Sequence, residues 1–370
     1  MPKVNRAILD DTEKIMAIDR SNMIGFCINA AKLYNKAANL AEKIQVSYPK
    51  PDNIIVAGMG GSGIGGDLLK DWARNKILIP IEVNREYNLP VYAGKNTLVL
   101  LTSYSGDTEE SLGAFLDALK RKCMIFCVSS GGALLENAKR LKVPFLKVPS
   151  GMPPRAALPY LLVPLLIYLE KAGFVRGAKD ELQEALKLLE KISIDNSPEK
   201  PSKSNFAKTL ALGIGQTAPV TYGYGFYRSV AMRFKQQFNE NSKIPAKWEV
   251  FSELDHNEIV GWERTGDLSK SFTSIFIRDN EEPVEIKSRI EITKEVMEQE
   301  DVKILELQAQ GKSMLARMLS TICIGDFTSN YLAFLNGVDP TPVKTITYLK
   351  DTLNYNGVKE KILLELARQS

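Results

Sequence analysis

The chain has 370 residues and a formal net charge of +4, since 48 lysines and arginines oppose 44 aspartates and glutamates. Hydrophobic residues make up 44% and charged residues 25%, so collagen-like, low-complexity and wholly disordered classes are excluded. The length predicts two or three domains. The small charge excess argues against nucleic acid and against an anionic membrane surface as partners.

Histidine and cysteine usage narrows the chemistry further. His256 is the single histidine, which excludes a histidine-based metal site and a two-histidine acid–base pair within one chain. The four cysteines form no CxxC pair, so we expect reduced thiols and a reducing, cytoplasmic compartment. The N-terminal residues contain no apolar core of the signal-peptide kind. The most apolar stretch, residues 156–174, is interrupted by Glu170 and is too short for a membrane span, so it predicts a buried helix.

Short apolar strands alternate with helices along most of the chain. This alternation is typical of a parallel sheet that is covered by helices on both faces. In the first half the predicted strands are residues 53–57, 77–83, 97–102, 124–129 and 145–148. In the second half they are residues 248–251, 273–277 and 302–307, with helices predicted at 226–238, 283–298, 313–335 and 343–354.

The same patterns predict the domain limits. Residues 1–50 have apolar positions at helical spacing and predict an N-terminal helical segment. Residues 51–194 predict the first α/β domain, and the polar, proline- and serine-containing residues 195–205 predict a linker. Residues 206–370 then predict a second α/β domain with a C-terminal helix.

A glycine-rich loop follows the first strand, in IIVAGMGGSGIGGD. Gly58, Gly60 and Gly63 satisfy G-x-G-x-x-G, and Glu82 about 20 residues further on completes a dinucleotide fingerprint. Backbone amides at the start of a helix bind a sugar phosphate equally well. Three interpretations stay open here: a nicotinamide or flavin nucleotide, a phosphosugar, and a tight turn without function.

A second loop, SYSGDTEES, follows the strand at 97–102. The hydroxyls of Ser103, Ser105 and Thr108 converge where a helix begins, and this suits a phosphate monoester. The alternative is helix capping by Ser105 or Thr108 with Glu110 nearby. A dinucleotide fold does not need this second loop, so the two loops together favour a phosphosugar.

Two candidate proton-transfer groups lie in the second half. Glu240 is in FNENSKIP, where a predicted helix breaks into polar residues, and His256 follows in ELDHNEI. One carboxylate and one imidazole are enough for proton transfer. The alternatives are an exposed loop glutamate and a structural or surface histidine. The glycine run Gly223-Tyr224-Gly225 has no serine cluster, so we expect only the first domain to hold a phosphate.

Six segments together resemble one family, the bifunctional phosphoglucose/phosphomannose isomerases of the sugar-isomerase (SIS) superfamily. They are GMGGSGIGGD, SYSGDTEES, PPRAAL, FNENSKIPA, ELDHNEI and DPTPV with a following LK, in the family's order from Gly58 to Lys350. The resemblance implies an α/β fold with two SIS domains, each a doubly wound parallel sheet flanked by helices, and additional N- and C-terminal helices. It also implies a homodimer with shared active sites near the domain and subunit interfaces.

The resemblance further implies the reversible conversion of glucose 6-phosphate and mannose 6-phosphate to fructose 6-phosphate, without metal or cofactor. Matching the segments implies two groups of substrate-binding residues: Gly60, Gly61 and Ser62 approach the substrate, and Ser103, Ser105 and Thr108 hold its phosphate. It also implies the catalytic residues: Arg155 faces the enediolate, Glu240 is the base, and His256 and Lys350 act at ring opening. The histidine would come from the neighbouring subunit. Lys344 is the alternative lysine in the terminal helix.

Two other functions stay open from the residues alone. A nucleotide-dependent oxidoreductase would use the G-x-G-x-x-G loop, and a sugar-phosphate sensor would bind the same ligand without turnover. A zinc-dependent isomerase would need a ligand cluster that this sequence lacks.

Overall fold

The chain folds into two units, each containing one parallel sheet. The structure is a computed structural model that describes residues 6–46, 48–263 and 266–369. The first-sheet unit comprises Lys32–Lys179 and Val343–Ser370, and the second-sheet unit comprises Met1–Ala31 and Asp180–Pro342. The units therefore divide the chain at other positions than the predicted domain limits, because the residues from Val343 onward belong with the first sheet.

The elements of the described ranges follow in chain order. The α-helices are α1 (Thr12–Ile18), α2 (Ile24–Ile28), α3 (Ala30–Ala41), α4 (Gly60–Ala73), α5 (Glu109–Lys120), α6 (Gly132–Arg140), α7 (Leu158–Lys171), α8 (Ala178–Asp195), α9 (Phe206–Ile214), α10 (Arg228–Gln237), α11 (Val284–Gln299), α12 (Met314–Leu335), α13 (Lys344–Asn354) and α14 (Val358–Ala367). The strands are β1 (Asn53–Ala57), β2 (Ile81–Asn84), β3 (Thr97–Thr102), β4 (Met124–Ser129), β5 (Phe145–Lys147), β6 (Ala218–Tyr224), β7 (Lys247–Phe251), β8 (Phe272–Arg278) and β9 (Lys303–Gln308).

The first sheet is parallel and has the strand order β2-β1-β3-β4-β5. Its register pairs Ala57 with Leu101 and Leu101 with Cys127, so the carboxyl ends of the central strands lie along one edge. All residues of β3 are buried, as expected for a strand covered on both faces. The strand order reverses at β1 and β3, and ligands of doubly wound sheets bind outside the carboxyl ends at such a point.

The second sheet repeats this winding with the order β7-β6-β8-β9, again parallel. Tyr222 of β6 is in register with Phe276 of β8, and their rings stack with centroids 4.9 Å apart. The long helix α12 is buried along most of its length. The predicted fold class is confirmed: an α/β chain with two doubly wound parallel sheets, flanking helices and further helices at both ends.

Helix α7 confirms the buried helix predicted from the most apolar stretch. Every residue from Leu158 to Leu169 is buried, and the ring of Tyr168 stacks on Phe126 of β4 with centroids 4.9 Å apart. None of the helices in the described ranges combines the length and the apolar character that a membrane span requires.

The segment predicted as a linker, residues 195–205, is bonded into the second-sheet unit. The buried Lys208 donates from Nζ to the carbonyl oxygens of Pro198 at 2.8 Å and Lys200 at 2.7 Å. Tyr331 of α12 donates from its hydroxyl to the carbonyl oxygen of Asn196 at 2.6 Å. The polar composition of this segment predicts a linker, but buried side chains bond to its backbone and hold it in place.

Candidate active site

The first glycine loop joins β1 to α4 and passes close to a 3₁₀ turn, Pro154–Ala157. Gly60 has a φ of +48° and open space around it. A Cβ on Gly61 would lie 2.7 Å from the carbonyl oxygen of Pro154 and 3.1 Å from the backbone nitrogen of Arg155. Only glycine fits this contact. The backbone of Arg155 is thereby brought against the first loop, as the predicted site requires.

Ser62 joins the first loop to the second. It is buried, and its Oγ accepts a hydrogen bond from the backbone N–H of Tyr104 at 3.1 Å. The hydroxyl of Thr102 donates to the carbonyl oxygen of Ser62 at 3.1 Å. The side chain of Ser62 therefore supports the second loop rather than standing open to a ligand.

The hydroxyls of the second loop differ in exposure. Ser103 is buried, and its Oγ accepts from the N–H of Gly106 at 3.1 Å and donates to Oγ1 of Thr108 at 3.3 Å. Ser105 is exposed, and its Oγ accepts from the N–H of Asp107 at 3.3 Å. Ser105 and Thr108 thus form the accessible part of the loop, with Ser103 beneath them.

The helix-capping alternative for this loop is wrong in its main point. Thr108 occupies the N-cap position of α5, but its side chain makes no capping hydrogen bond there. Because neither Thr108 nor Ser105 caps the helix, the first amides of α5 are not occupied by these two hydroxyls. Such amides carry the positive end of the helix dipole.

Gly106 fixes the shape of the second loop. Its φ is +76°, and a Cβ at this position would lie 1.8 Å from the carbonyl oxygen of Gly131. The loop therefore packs directly on the backbone that precedes α6, which only a glycine permits.

Tyr104 is a supporting residue that the sequence analysis missed. Its hydroxyl donates to the carbonyl oxygen of Pro149 at 2.9 Å and accepts from the N–H of Met152 at 3.0 Å. It thereby ties the second loop to the segment that leads into Arg155, which is only 3% exposed. A tyrosine between two loop serines gives no local signal for this role, because both partners lie far along the chain.

The two candidate lysines lie on α13 of the same unit. Lys344 is the first residue of the helix and Lys350 lies within it, and both are exposed. A separation of six residues turns about 240° around a helix, so the two side chains point to different sides.

In the second-sheet unit, Glu240 lies in a π-helical turn, Phe238–Ser242, directly after α10. The buried Asn241 donates to Oγ of Ser329 at 2.9 Å, and the buried Ser242 donates to the carbonyl oxygen of Ser329 at 2.6 Å. These bonds attach the turn to α12 and leave Glu240 half-buried. Turns of this kind are frequent at functional sites, because they aim a side chain away from the regular helical path.

His256 ends a 3₁₀ turn, Glu253–His256, and its side chain is exposed. The neighbouring carboxylate of Asp255 points elsewhere: Oδ2 forms an ion pair with Nη1 of Arg289 at 2.8 Å, and Oδ1 accepts from the hydroxyl of Thr293 at 3.2 Å. Both carboxylate oxygens of Asp255 therefore bond to residues of α11.

The loop after β8 occupies the place in its sheet that the hydroxyl loop occupies after β3. It carries carboxylates instead of hydroxyls. Asp279 accepts a hydrogen bond from the hydroxyl of Tyr227 and forms an ion pair with Arg317 at 3.1 Å. Glu281 lies 2.7 Å from the same guanidinium.

Comparison with known proteins supports the resemblance read from the sequence. A family model described as the bacterial phospho-glucose isomerase C-terminal SIS domain matches residues 203–353. A bifunctional phosphoglucose/phosphomannose isomerase of Caldicellulosiruptor bescii is 39% identical over 334 residues, covering 87% of this chain and 98% of the relative. One of Aquifex aeolicus is 35% identical, covering 81% and 90%.

The chain belongs to the bifunctional phosphoglucose/phosphomannose isomerase family. It is therefore an isomerase, as the resemblance implied. The crystal structure of a hypothetical protein of Thermus thermophilus matches 96% of this chain and 97% of its own with a TM-score of 0.74; at 13% identity it supports the fold alone.

Membership in this isomerase family favours a phosphosugar over a dinucleotide in the first loop. The acidic residue of the dinucleotide fingerprint, Glu82, is exposed, lies before the end of β2 and accepts a hydrogen bond from the hydroxyl of Tyr92. A ribose-binding carboxylate would be expected at the carboxyl end of the strand, where this chain has Asn84.

Proposed function

We propose that this isomerase interconverts glucose 6-phosphate and mannose 6-phosphate with fructose 6-phosphate through a cis-enediol intermediate, and that it needs no metal or nucleotide. The observation that carries the substrate class is the pair of loops at the β1–β3 switch point. They are joined by the bond from the Tyr104 N–H to Ser62, and the second loop presents the exposed Ser105 and the half-exposed Thr108 at the start of α5, where Thr108 makes no capping bond. Such a site suits a phosphate monoester.

The phosphate is held by Ser105, Thr108 and the first amides of α5, with Ser103 and Ser62 supporting the loop from below. Gripping the phosphate allows binding energy from a remote group to orient the reacting carbons. The equivalent loop of the second sheet carries Asp279 and Glu281 in place of hydroxyl donors, and the nearby guanidinium of Arg317 is already paired with both carboxylates. The proposal therefore places the phosphate in the first-sheet unit.

Glu240 is the base. Its carboxylate takes the proton from C2 of the aldose, and the resulting carboxylic acid returns a proton to C1, so one group serves both carbons on the same face. The bonds of Asn241 and Ser242 to α12 hold the turn that carries this carboxylate. Arg155 keeps its positive charge at working pH and stabilises the enediolate oxygen.

His256 and Lys350 act at ring opening, which requires a proton for the ring oxygen and removal of the proton from the anomeric hydroxyl. Both side chains are exposed and so accessible to a substrate. An imidazole is suited to the task because its ordinary pKa lies near neutral pH.

The functional form is a homodimer in which His256 serves the site of the neighbouring subunit. Two features of this chain support that part of the proposal. His256 is exposed, and α13 carries the exposed apolar side chains Ile346, Tyr348 and Leu349 beside Lys350. Exposed apolar side chains that are grouped on one helix are typical of an interaction surface.

Product analysis tests this function. The metal-stripped protein is incubated with fructose 6-phosphate without nucleotide, and both aldose 6-phosphates are quantified over time. We expect both, because the two epimers share one enediol. Glucose 6-phosphate alone would contradict the dual specificity. Neither product, with a raised melting temperature in fructose 6-phosphate, would indicate a sensor, and a melting temperature raised by NAD(P) would indicate an oxidoreductase.

A further inference from the structure

We propose that Asp255 and Glu258 are positioning residues, which hold the segment carrying His256 through two anchors, one on α11 and one on β6. The inference rests on the proposed role of His256 at ring opening. In this interpretation the two acidic residues of the DHNE sequence bond to other parts of the fold and not to the imidazole of His256, which lies between them in the sequence.

The first anchor joins Asp255 to α11. Its carboxylate is mostly buried and receives a charge-assisted hydrogen bond from Arg289 at 2.8 Å and a second bond from Thr293 at 3.2 Å. Thr293 is fully buried, so this contact reaches the core of the unit. Both oxygens of Asp255 are used in this way, and the carboxylate is not directed at His256.

The second anchor joins Glu258 to the sheet. The hydroxyl of Tyr222 donates to Oε1 of Glu258 at 2.6 Å. Tyr222 is 1% exposed and is fixed by stacking on Phe276, and a buried phenol of this kind needs a polar partner. The pKa of Glu258 is raised above its ordinary value, mainly because the carboxylate is buried, and the bond from Tyr222 opposes this shift.

The two anchors lie in two consecutive short 3₁₀ turns, Glu253–His256 and Glu258–Trp262. Turns of this type have poorer hydrogen-bond geometry than an α-helix and are not stable by themselves. Leu254, which is fully buried, adds an apolar contact beneath the first turn. The exposed imidazole is thus carried on a weak element whose position depends on Asp255 and Glu258.

The test compares Tyr222→Phe with two variants of its partner. Removing the phenol hydroxyl should lower kcat for fructose 6-phosphate by about tenfold to a hundredfold with little change in KM, because a displacement near 1 Å costs rates of that size. Glu258→Gln retains an oxygen acceptor and should keep most of the wild-type rate, whereas Glu258→Leu should lose it. On 5-deoxyfructose 6-phosphate, which cannot close a ring, Tyr222→Phe should have a much smaller effect.

Two controls separate positioning from general damage. Tyr168→Phe removes another buried phenol, whose hydroxyl has no partner among the described residues, and should leave both substrates unaffected. In a His256→Ala background, Tyr222→Phe should cause little further loss, because the two changes act on one group. Equal losses in both backgrounds, or on both substrates, would overturn the inference.

The same measurements distinguish this inference from the function on which it rests. If His256→Ala keeps the wild-type rate on fructose 6-phosphate, the proposed role of the histidine is wrong. If His256→Ala is impaired on the cyclic substrate but Tyr222→Phe and Glu258→Leu are not, only the positioning role is wrong.

Discussion

At the scale of single residues, the chemically similar serines of the two loops have different surroundings. Ser103 is buried and bonded within the second loop, and Ser62 is buried and bonded from the first loop to the second, so both support the second loop. Ser105 is exposed, and in the proposed site its hydroxyl binds the phosphate. Sequence spacing identifies all three as candidates, but only the tertiary contacts separate the supporting hydroxyls from the one that faces solvent.

Ser105→Ala should therefore weaken phosphate binding. We expect KM for fructose 6-phosphate to rise about tenfold or more, since a hydrogen bond to a charged group contributes about 1.5–3 kcal/mol, while kcat changes little. Steady-state kinetics measure this directly. Ser288→Ala, an exposed serine on α11, is the matched control. An unchanged KM in Ser105→Ala would show that the hydroxyl has only a structural role.

At the scale of elements, the two loops depend on close backbone approaches. Gly106→Ala should disrupt the second loop, because it combines a φ of +76° with a Cβ 1.8 Å from the carbonyl oxygen of Gly131. We expect a loss of about 2 kcal/mol or more in the free energy of unfolding, together with a raised KM. Denaturant unfolding and kinetics measure the two effects.

Gly94→Ala is the control for this change, since no atom lies within 4 Å of the added Cβ. It should have a stability close to that of the wild type. Similar stabilities for Gly94→Ala and Gly106→Ala would contradict the account of the loop.

The segment before α9 depends on one buried cation. Lys208→Met removes the donor for the carbonyl oxygens of Pro198 and Lys200 and leaves the buried Pro198 acceptor without it. We expect the free energy of unfolding to fall by about 2 kcal/mol or more, since each unsatisfied buried group costs about 1–3 kcal/mol. The exposed Lys203 gives a matched control, Lys203→Met, which should be neutral. A neutral Lys208→Met would show that the segment is a loose linker after all.

Local pattern predicts the strands well and the contacts between distant residues poorly. Strands β1, β3 and β4 have the limits predicted from their apolar runs, because such runs are bounded by turn residues. The alternation of strands does not predict α8 or the place of α14, whose Leu366 is part of the core around the first sheet. Tyr104 and Tyr222 escape sequence analysis for the same reason, since their partners lie elsewhere in the chain.

At the scale of the whole molecule, the two sheets have the same order of winding, but the corresponding loops carry different side chains. The loop after β3 carries hydroxyls, and the loop after β8 carries carboxylates paired with arginines. The serine and threonine motif makes the loop after β3 recognisable from the sequence. The carboxylates of the second loop are not recognisable as its counterpart until the order of the strands is known.

Mixing two inactive variants tests whether active sites are shared between subunits. If His256 serves the neighbouring subunit, a mixed dimer of Glu240→Gln and His256→Ala contains one intact site and one site with both changes. Random reassociation should then restore about a quarter of the wild-type rate, because half of the dimers are mixed and each has one working site. Turnover of fructose 6-phosphate after unfolding and refolding the mixture measures this.

The separately refolded variants are the controls for that experiment and should stay inactive. A refolded mixture that also stays inactive, while refolded wild type recovers, would place both residues in the same subunit's site.

The central claim is that Glu240 transfers the proton between C1 and C2, and the most direct measurement follows fructose 6-phosphate in deuterium oxide with Glu240→Gln. The amide cannot accept the proton, so we expect turnover and deuterium incorporation at C1 and C2 to fall by about a thousandfold, while the substrate still raises the melting temperature. Glu285→Gln, an exposed carboxylate on α11, should behave as wild type. Wild-type turnover and deuterium incorporation in Glu240→Gln would contradict the account.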